Sequence, residues 1–127
     1  MISKLKSALS QHPDIAFAYL FGSQASGRAT RMSDIDIAVY LHGSPDGEKR
    51  LDILGLLIDT LKSDRVDLVI LNTAPLPLQF RVLKNNQLLV DKAPFMRHAF
   101  ESKTIAMYLD FSIFESRLLE RRFFRDQ

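Results

Sequence analysis

Apolar residues follow two different periods along the chain, and their alternation predicts an α/β fold. Short apolar runs bounded by glycine, proline or polar turns predict buried strands, whereas apolar residues spaced by three or four predict amphipathic helices. The predicted strands cover residues 15–21, 34–41, 65–71 and 87–90. The predicted helices cover residues 3–10, 48–62, 78–84 and a long region at about 95–124, with an interruption allowed near Asp110. The pattern therefore predicts a mixed sheet of about four strands backed by helices.

The composition is that of one small globular domain spanning residues 1–127. Hydrophobic residues make up 46% of the chain and charged residues 25%, which argues against disorder. The net charge of +2 does not require nucleic acid as a partner, and we expect no direct nucleic-acid binding. The longest apolar run, residues 15–21, is far shorter than the roughly 20 residues that cross a bilayer. With no cysteine and no signal-peptide pattern, the chain is expected in the cytoplasm, away from membranes.

Three acidic residues lie inside the most strand-like segments. Asp34 and Asp36 are two residues apart on the second predicted strand, so their side chains share one face. Only ten residues separate Ser23 from Asp34, which favours an antiparallel pairing of the first two strands. The longer link to the third strand allows a helical crossover and a parallel pairing. This arrangement brings Asp67 to the same edge of the sheet.

Converging carboxylates repel one another and need a compensating cation. Oxygen ligands without histidine or cysteine favour Mg²⁺ or Mn²⁺ over zinc. Two ions can share Asp34 and Asp36, with Asp67 completing the site of the ion that activates an attacking hydroxyl. An EF-hand calcium loop is excluded, because Ala38 and Val39 stand where it requires an Asp or Asn and then a glycine.

The turn after the first strand has the composition of a phosphate-binding loop. Gly22 lets the backbone approach a phosphate closely, and Ser23 with its neighbouring amides can donate hydrogen bonds to it. Arg28 supplies a cation that either faces the phosphate or braces the loop. A P-loop is excluded, because Arg28 and Ala29 occupy the positions that need lysine and then serine or threonine.

These motifs together resemble those of the DNA polymerase β-like nucleotidyltransferase superfamily. The segments 21–28 (FGSQASGR) and 33–36 (SDID) look like the signature of its smallest members, the MNT-type minimal nucleotidyltransferases. Their third acid corresponds to Asp67, and the segments 86–90 and 108–111 look like the closing strand and helix of that group. The resemblance extends over nearly the whole chain.

The resemblance implies a palm-like core and an antitoxin of a HEPN/MNT toxin–antitoxin pair. Such proteins transfer AMP from ATP, with release of pyrophosphate, to a tyrosine of a HEPN-family ribonuclease toxin, and they bind that toxin in a hetero-oligomeric complex. By carry-over, Asp34 and Asp36 bind both Mg²⁺ ions and Asp67 binds the ion at the attacking oxygen. Gly22 and Ser23 then hold the triphosphate. All three acids would be catalytic.

Two other functions remain open on the sequence. One is nucleotide transfer to a small hydroxylated molecule, which the short chain disfavours because an acceptor pocket would need more protein. The other is an antitoxin that neutralises by binding alone. The last predicted helix also has two interpretations: it packs on the sheet with a solvated basic face that includes Arg117, Arg121, Arg122 and Arg125, or it binds a partner.

Overall fold

The computed structural model describes residues 1–27 and 34–124, and its elements follow the predicted order. They are α1 (Ile2–Gln11), β1 (Ile15–Phe21), α2 (Ser23–Ser26), β2 (Ile35–Leu41), α3 (Gly47–Leu61), β3 (Val66–Ile70), α4 (Leu76–Lys84), β4 (Asn86–Asp91) and α5 (Pro94–Phe124). The bounds of several elements differ from the predicted ones by one or a few residues. The α4 helix begins before its predicted start because Pro77 lies in its first turn, where proline costs no hydrogen bond. The α5 helix continues through Asp110 without interruption.

In the part of the chain that the structure describes, the four strands form one sheet in the order β3-β2-β1-β4. The β1 strand pairs antiparallel with both β2 and β4, and β2 pairs parallel with β3. The predicted strand directions are therefore confirmed. The parallel pair is possible because α3 carries the chain back along the sheet between β2 and β3.

Side chains alternate between the two faces of the sheet, and each face has its own helices. One apolar cluster joins α1 and α3 to a sheet face that includes Ile37 and Val39. A second cluster joins α4 and the start of α5 to the opposite face, which includes Phe17, Ala38 and Val69. Because Asp36 precedes Ala38 by two residues, it lies on the face that α4 covers.

The first half of α5 is anchored to the domain. Arg97 contacts Asp91 at 3.1 Å and Glu101 at 2.7 Å, which fixes the first turns of the helix to the end of β4. Further along, the ring of Tyr108 stacks on Phe80 of α4, with centroids 3.9 Å apart. The prediction that this helix packs on the domain is confirmed as far as Tyr108.

The second half of α5 carries large apolar side chains that are exposed to solvent. They are Leu109, Phe111, Ile113, Phe114, Leu118 and Leu119. Arg117 is exposed beside them. The side chains of Arg121 and Arg122, and the whole of Arg125, lie outside the described part. The interpretation in which the helix packs on the sheet therefore does not extend to this half, because no element of the described chain covers its apolar residues.

Among the described residues, no helix combines the length and hydropathy that a membrane span requires.

Candidate active site

A row of register partners crosses three strands at one edge of the sheet. Phe21 at the end of β1 pairs with Asp36 on β2, and Asp36 pairs with Asp67 on β3. Register partners on adjacent strands carry side chains on the same face at close range. Asp36 and Asp67 are therefore direct neighbours, as the strand directions predicted.

Asp34 lies just before the first residue of β2 and is exposed to solvent. It stands two residues from Asp36, the spacing that places both on one face. Within the described ranges, no three acidic or histidine side chains already surround a common point at which a metal ion could sit. The preformed part of the site is therefore the pair Asp36 and Asp67. This suits Mg²⁺, which is usually bound by one or two carboxylates together with substrate phosphates and water.

The pKa of Asp36 is raised above its usual value. Partial burial is the largest cause, and the neighbouring carboxylate of Asp67 adds to it. The guanidinium of Arg81 opposes the shift, and Asp34 contributes a smaller increase. The net effect is that the folded protein holds an ionised Asp36 at a cost, which a bound cation would remove.

Gly22 brings the backbone against the Asp36 carboxylate. Its φ of +75° belongs to the left-handed region that favours glycine. A Cβ built on Gly22 would lie only 2.4 Å from Oδ2 of Asp36. Any larger residue would therefore push the carboxylate out of place, so this position needs glycine for two separate reasons.

Ser23 begins the short helix α2 directly after Gly22, which places it beside the carboxylate row. The turn closes at Gly27, whose N–H donates to the carbonyl oxygen of Ser23. Gly27 has a φ of +74°, but the space around its Cβ position is open. Arg28, the remaining predicted site residue, lies outside the described part of the chain.

A cleft of about 530 Å³ opens at the two acids and continues along β3. The start of α3, including Arg50, forms one wall, and Leu78 and Arg81 of α4 contribute another. Arg81 is a residue of the cleft that the sequence motifs did not predict. A sequence signal for Arg81 does exist, because α4 follows directly after β3, the strand of Asp67. The helix runs back along the sheet, so a basic residue near its end lies close to the edge with the carboxylates.

Comparisons with known proteins indicate the family to which the chain belongs. The family described as Polymerase beta, Nucleotidyltransferase matches residues 3–95. The chain belongs to this family. Members of the family use a nucleotide substrate and, in general, a divalent metal ion.

Individual relatives are more specific. The chain is 38% identical over 96 residues to the protein adenylyltransferase MntA of Shewanella oneidensis, which covers 76% of this chain and 68% of the relative. A crystal structure of a toxin–antitoxin with AMP-PNP superposes with a TM-score of 0.78 at 32% identity, covering 94% of this chain and 95% of that one. The structure of a tri-AMPylated Shewanella oneidensis HEPN toxin in complex with an MNT antitoxin gives a TM-score of 0.71 at 29% identity. That match covers 94% of this chain and 92% of the other.

Replacing either of the two glycines of the turn by alanine tests the close approach of Gly22 to Asp36, with divalent-metal binding as the measurement that reports on the carboxylate. Gly27 has a φ of +74° and a ψ of 11°, the left-handed helical conformation, so its substitution should cost about 1 kcal/mol of unfolding free energy, whereas Gly22 has a ψ of −147°, which disfavours any side chain more strongly. Gly22→Ala should lose more stability than this and should also lose divalent-metal binding, because its Cβ collides with the carboxylate. Gly27→Ala is the matched control. Urea unfolding and Mn²⁺ titration measure both effects, and equal losses in the two variants would contradict the steric argument.

Asp36→Asn should raise the melting temperature of the metal-free protein at neutral pH. The pKa of Asp36 is higher in the folded than in the unfolded chain, so wild-type stability falls as pH rises through the folded pKa. Asparagine removes this cost, and the advantage should shrink on acidification below the folded pKa and vanish below the pKa of the unfolded chain. Thermal unfolding with a chelator present measures it, with the exposed Asp52→Asn as control. An unchanged or lower melting temperature at neutral pH would show that the repulsion is already compensated.

Proposed function

We propose that this chain is an antitoxin that transfers AMP from ATP to a tyrosine hydroxyl of a HEPN-family toxin and thereby neutralises it. The observation that carries the proposal is the meeting of the Gly22 turn, Asp36 and Asp67 at one sheet edge. It occurs in a chain 38% identical to a protein adenylyltransferase. Structures similar over 94% of the chain are toxin–antitoxin complexes, one of them with a tri-AMPylated toxin. We place the reaction in the cytoplasm, where ATP is supplied.

Each residue of the site has a role in this proposal. Asp34 and Asp36 would hold two Mg²⁺ ions, or Mn²⁺ in their place, and Asp67 would complete the ligands of the ion nearer the acceptor. Bound metal would neutralise phosphate charge and lower the pKa of the acceptor hydroxyl. Gly22 and Ser23 would donate backbone and hydroxyl hydrogen bonds to the triphosphate. The sequence motif also suggests a phosphate contact for Arg28, and we include this contact in the proposal.

The reaction balances without a further reagent. The phenolic oxygen of the acceptor attacks the α-phosphorus of ATP and forms a phosphodiester bond to AMP. The bond from that phosphorus to the bridging oxygen breaks, and pyrophosphate leaves with the electron pair. The phenolic proton passes to solvent or to a carboxylate of the site. An ionised carboxylate on β2 or β3 could accept this proton as a general base, while a bound divalent ion would lower the pKa of the hydroxyl.

The two other functions predict different outcomes. Transfer to a small hydroxylated molecule requires an acceptor pocket within this domain, whereas the cleft at the acids is open to solvent. Neutralisation by binding alone requires only an interaction surface, and it leaves the arrangement of Gly22, Asp36 and Asp67 without a purpose. The geometry therefore favours the transferase.

The exposed half of α5 is our proposed binding surface for the toxin. Its apolar stripe begins at Met107, just before this half, and continues with Phe111, Phe114 and Leu118, at spacings of four, three and four residues. This spacing places the four side chains on one face of the helix, as in helix–helix packing. Phe114 is 65% exposed, a large cost in water unless a partner covers it. The similar toxin–antitoxin complexes identify the partner as a toxin subunit.

Removal of the acids should abolish transfer. We expect the double variant with Asp34→Ala and Asp36→Ala to modify the toxin at less than about a hundredth of the wild-type rate, because metal binding is lost. Mass spectrometry of the toxin after incubation with Mg²⁺ and each nucleotide measures the AMP-sized mass increase, with Asp52→Ala as control. No increase with the wild-type protein would sink the transferase proposal, and neutralisation that survives the double substitution would favour binding alone.

Charges on the apolar stripe should break the complex without unfolding the antitoxin. Phe114→Asp combined with Leu118→Asp should raise the dissociation constant for the toxin by about a hundredfold or more, because both side chains would be buried there. Ser112→Asp with Ser116→Asp is the matched control on the same exposed half of α5. Calorimetric titration measures affinity and circular dichroism checks the fold. Equal affinity of the two double variants would place the interface elsewhere.

A further inference from the structure

Arg81 is held over the carboxylate pair by a helix that is fixed on two sides. Val82, the next residue, is fully buried in the core beneath α4. Phe80, the residue before, stacks on Tyr108 of α5. With both neighbours anchored, the backbone of Arg81 has little freedom, and its side chain lines the same cleft as Asp36 and Asp67.

The Arg81 side chain has the features of a ligand contact rather than of a structural ion pair. It is exposed, and among the described residues no hydrogen bond or ion pair to its guanidinium is found. Arg97 provides the contrast, because it is half-buried and bound to both Asp91 and Glu101. Arg81 therefore brings five N–H donors to the cleft without using them to hold the fold.

The positive charge of Arg81 has opposite effects on the affinities of the site for a divalent metal ion and for ATP. Toward a divalent ion it is a competitor, since both positive charges are attracted by Asp36 and both occupy the same small region. Toward the triphosphate of ATP it is a partner, since the planar guanidinium binds two phosphate oxygens at once. The carboxylates alone would favour metal binding and repel the nucleotide.

We propose that Arg81 is a phosphate-binding residue that also balances the charge of Asp36 and Asp67 before metal and nucleotide arrive. The proposal rests on the proposed function only in taking ATP as the ligand. In this role the charge of Arg81 weakens metal binding when no nucleotide is present. When nucleotide is bound, its phosphates interact with the guanidinium, and metal binding becomes favourable. Metal and nucleotide would consequently bind with positive coupling.

The decisive variant is Arg81→Met, tested by two binding measurements without toxin. In the absence of nucleotide, the Mn²⁺ affinity, followed by the paramagnetic resonance of free Mn²⁺, should increase about threefold or more. With Mg²⁺ present, the affinity for a non-hydrolysable ATP analogue, followed by calorimetry, should fall about tenfold or more. Lys84→Met is the matched control, since Lys84 is an exposed cation one turn later on α4 that does not line the cleft. It should change neither affinity.

Arg81→Lys separates charge from geometry. It should restore the wild-type Mn²⁺ affinity but recover only part of the nucleotide affinity, because an ammonium group cannot bind two oxygens in a fixed plane. Loss of both affinities together in Arg81→Met would indicate structural damage and overturn the proposal, as would an unchanged nucleotide affinity. If the opposite shifts occur while the wild-type protein modifies no toxin, the role of Arg81 stands and the proposed acceptor is wrong.

Discussion

The candidate site is built around the electrostatic repulsion between Asp36 and Asp67. The parallel register of β2 and β3 holds these two acids side by side. The same register packs Val39 beside Ile70 in the core, so the acids cannot separate without disrupting the sheet. The packing of the apolar residues thus enforces an unfavourable arrangement at one edge. The two carboxylates lower the stability of the metal-free fold, and binding of a cation would relieve their repulsion. Such local strain is typical of functional positions.

The two faces of the sheet have different roles in the fold. The face under α1 and α3 packs against apolar residues of both helices, and it supplies the bulk of the core. The face under α4 and α5 combines apolar packing with the carboxylate row at its edge. The α4 helix therefore connects the candidate active site with the proposed toxin-binding surface, because Arg81 lines the cleft of the two acids while Phe80 stacks on Tyr108 of α5.

Much of this organisation could be predicted from the sequence, since it follows from local rules. The alternation of side chains along β2 and the lengths of its two connections fixed strand directions, and these brought Asp67 to Asp36. Three features were not predicted. The contact between Gly22 and Asp36 depends on ångström-scale backbone placement, and Arg81 depends on how α4 packs. The exposed end of α5 has an apolar pattern like that of a buried helix, so only the fold shows that no element of the described chain covers it.

The position of the acceptor follows from the order of the strands. Gly22 lies on the β1 side of Asp36, whereas Asp67 belongs to β3, the edge strand on the other side. If Gly22 holds the phosphates that leave, an attack roughly in line with the breaking bond must come from the Asp67 side. There the cleft runs along β3 and is open to solvent. A hydroxyl on a second protein can enter from that direction, so the domain can remain small because the partner completes the site.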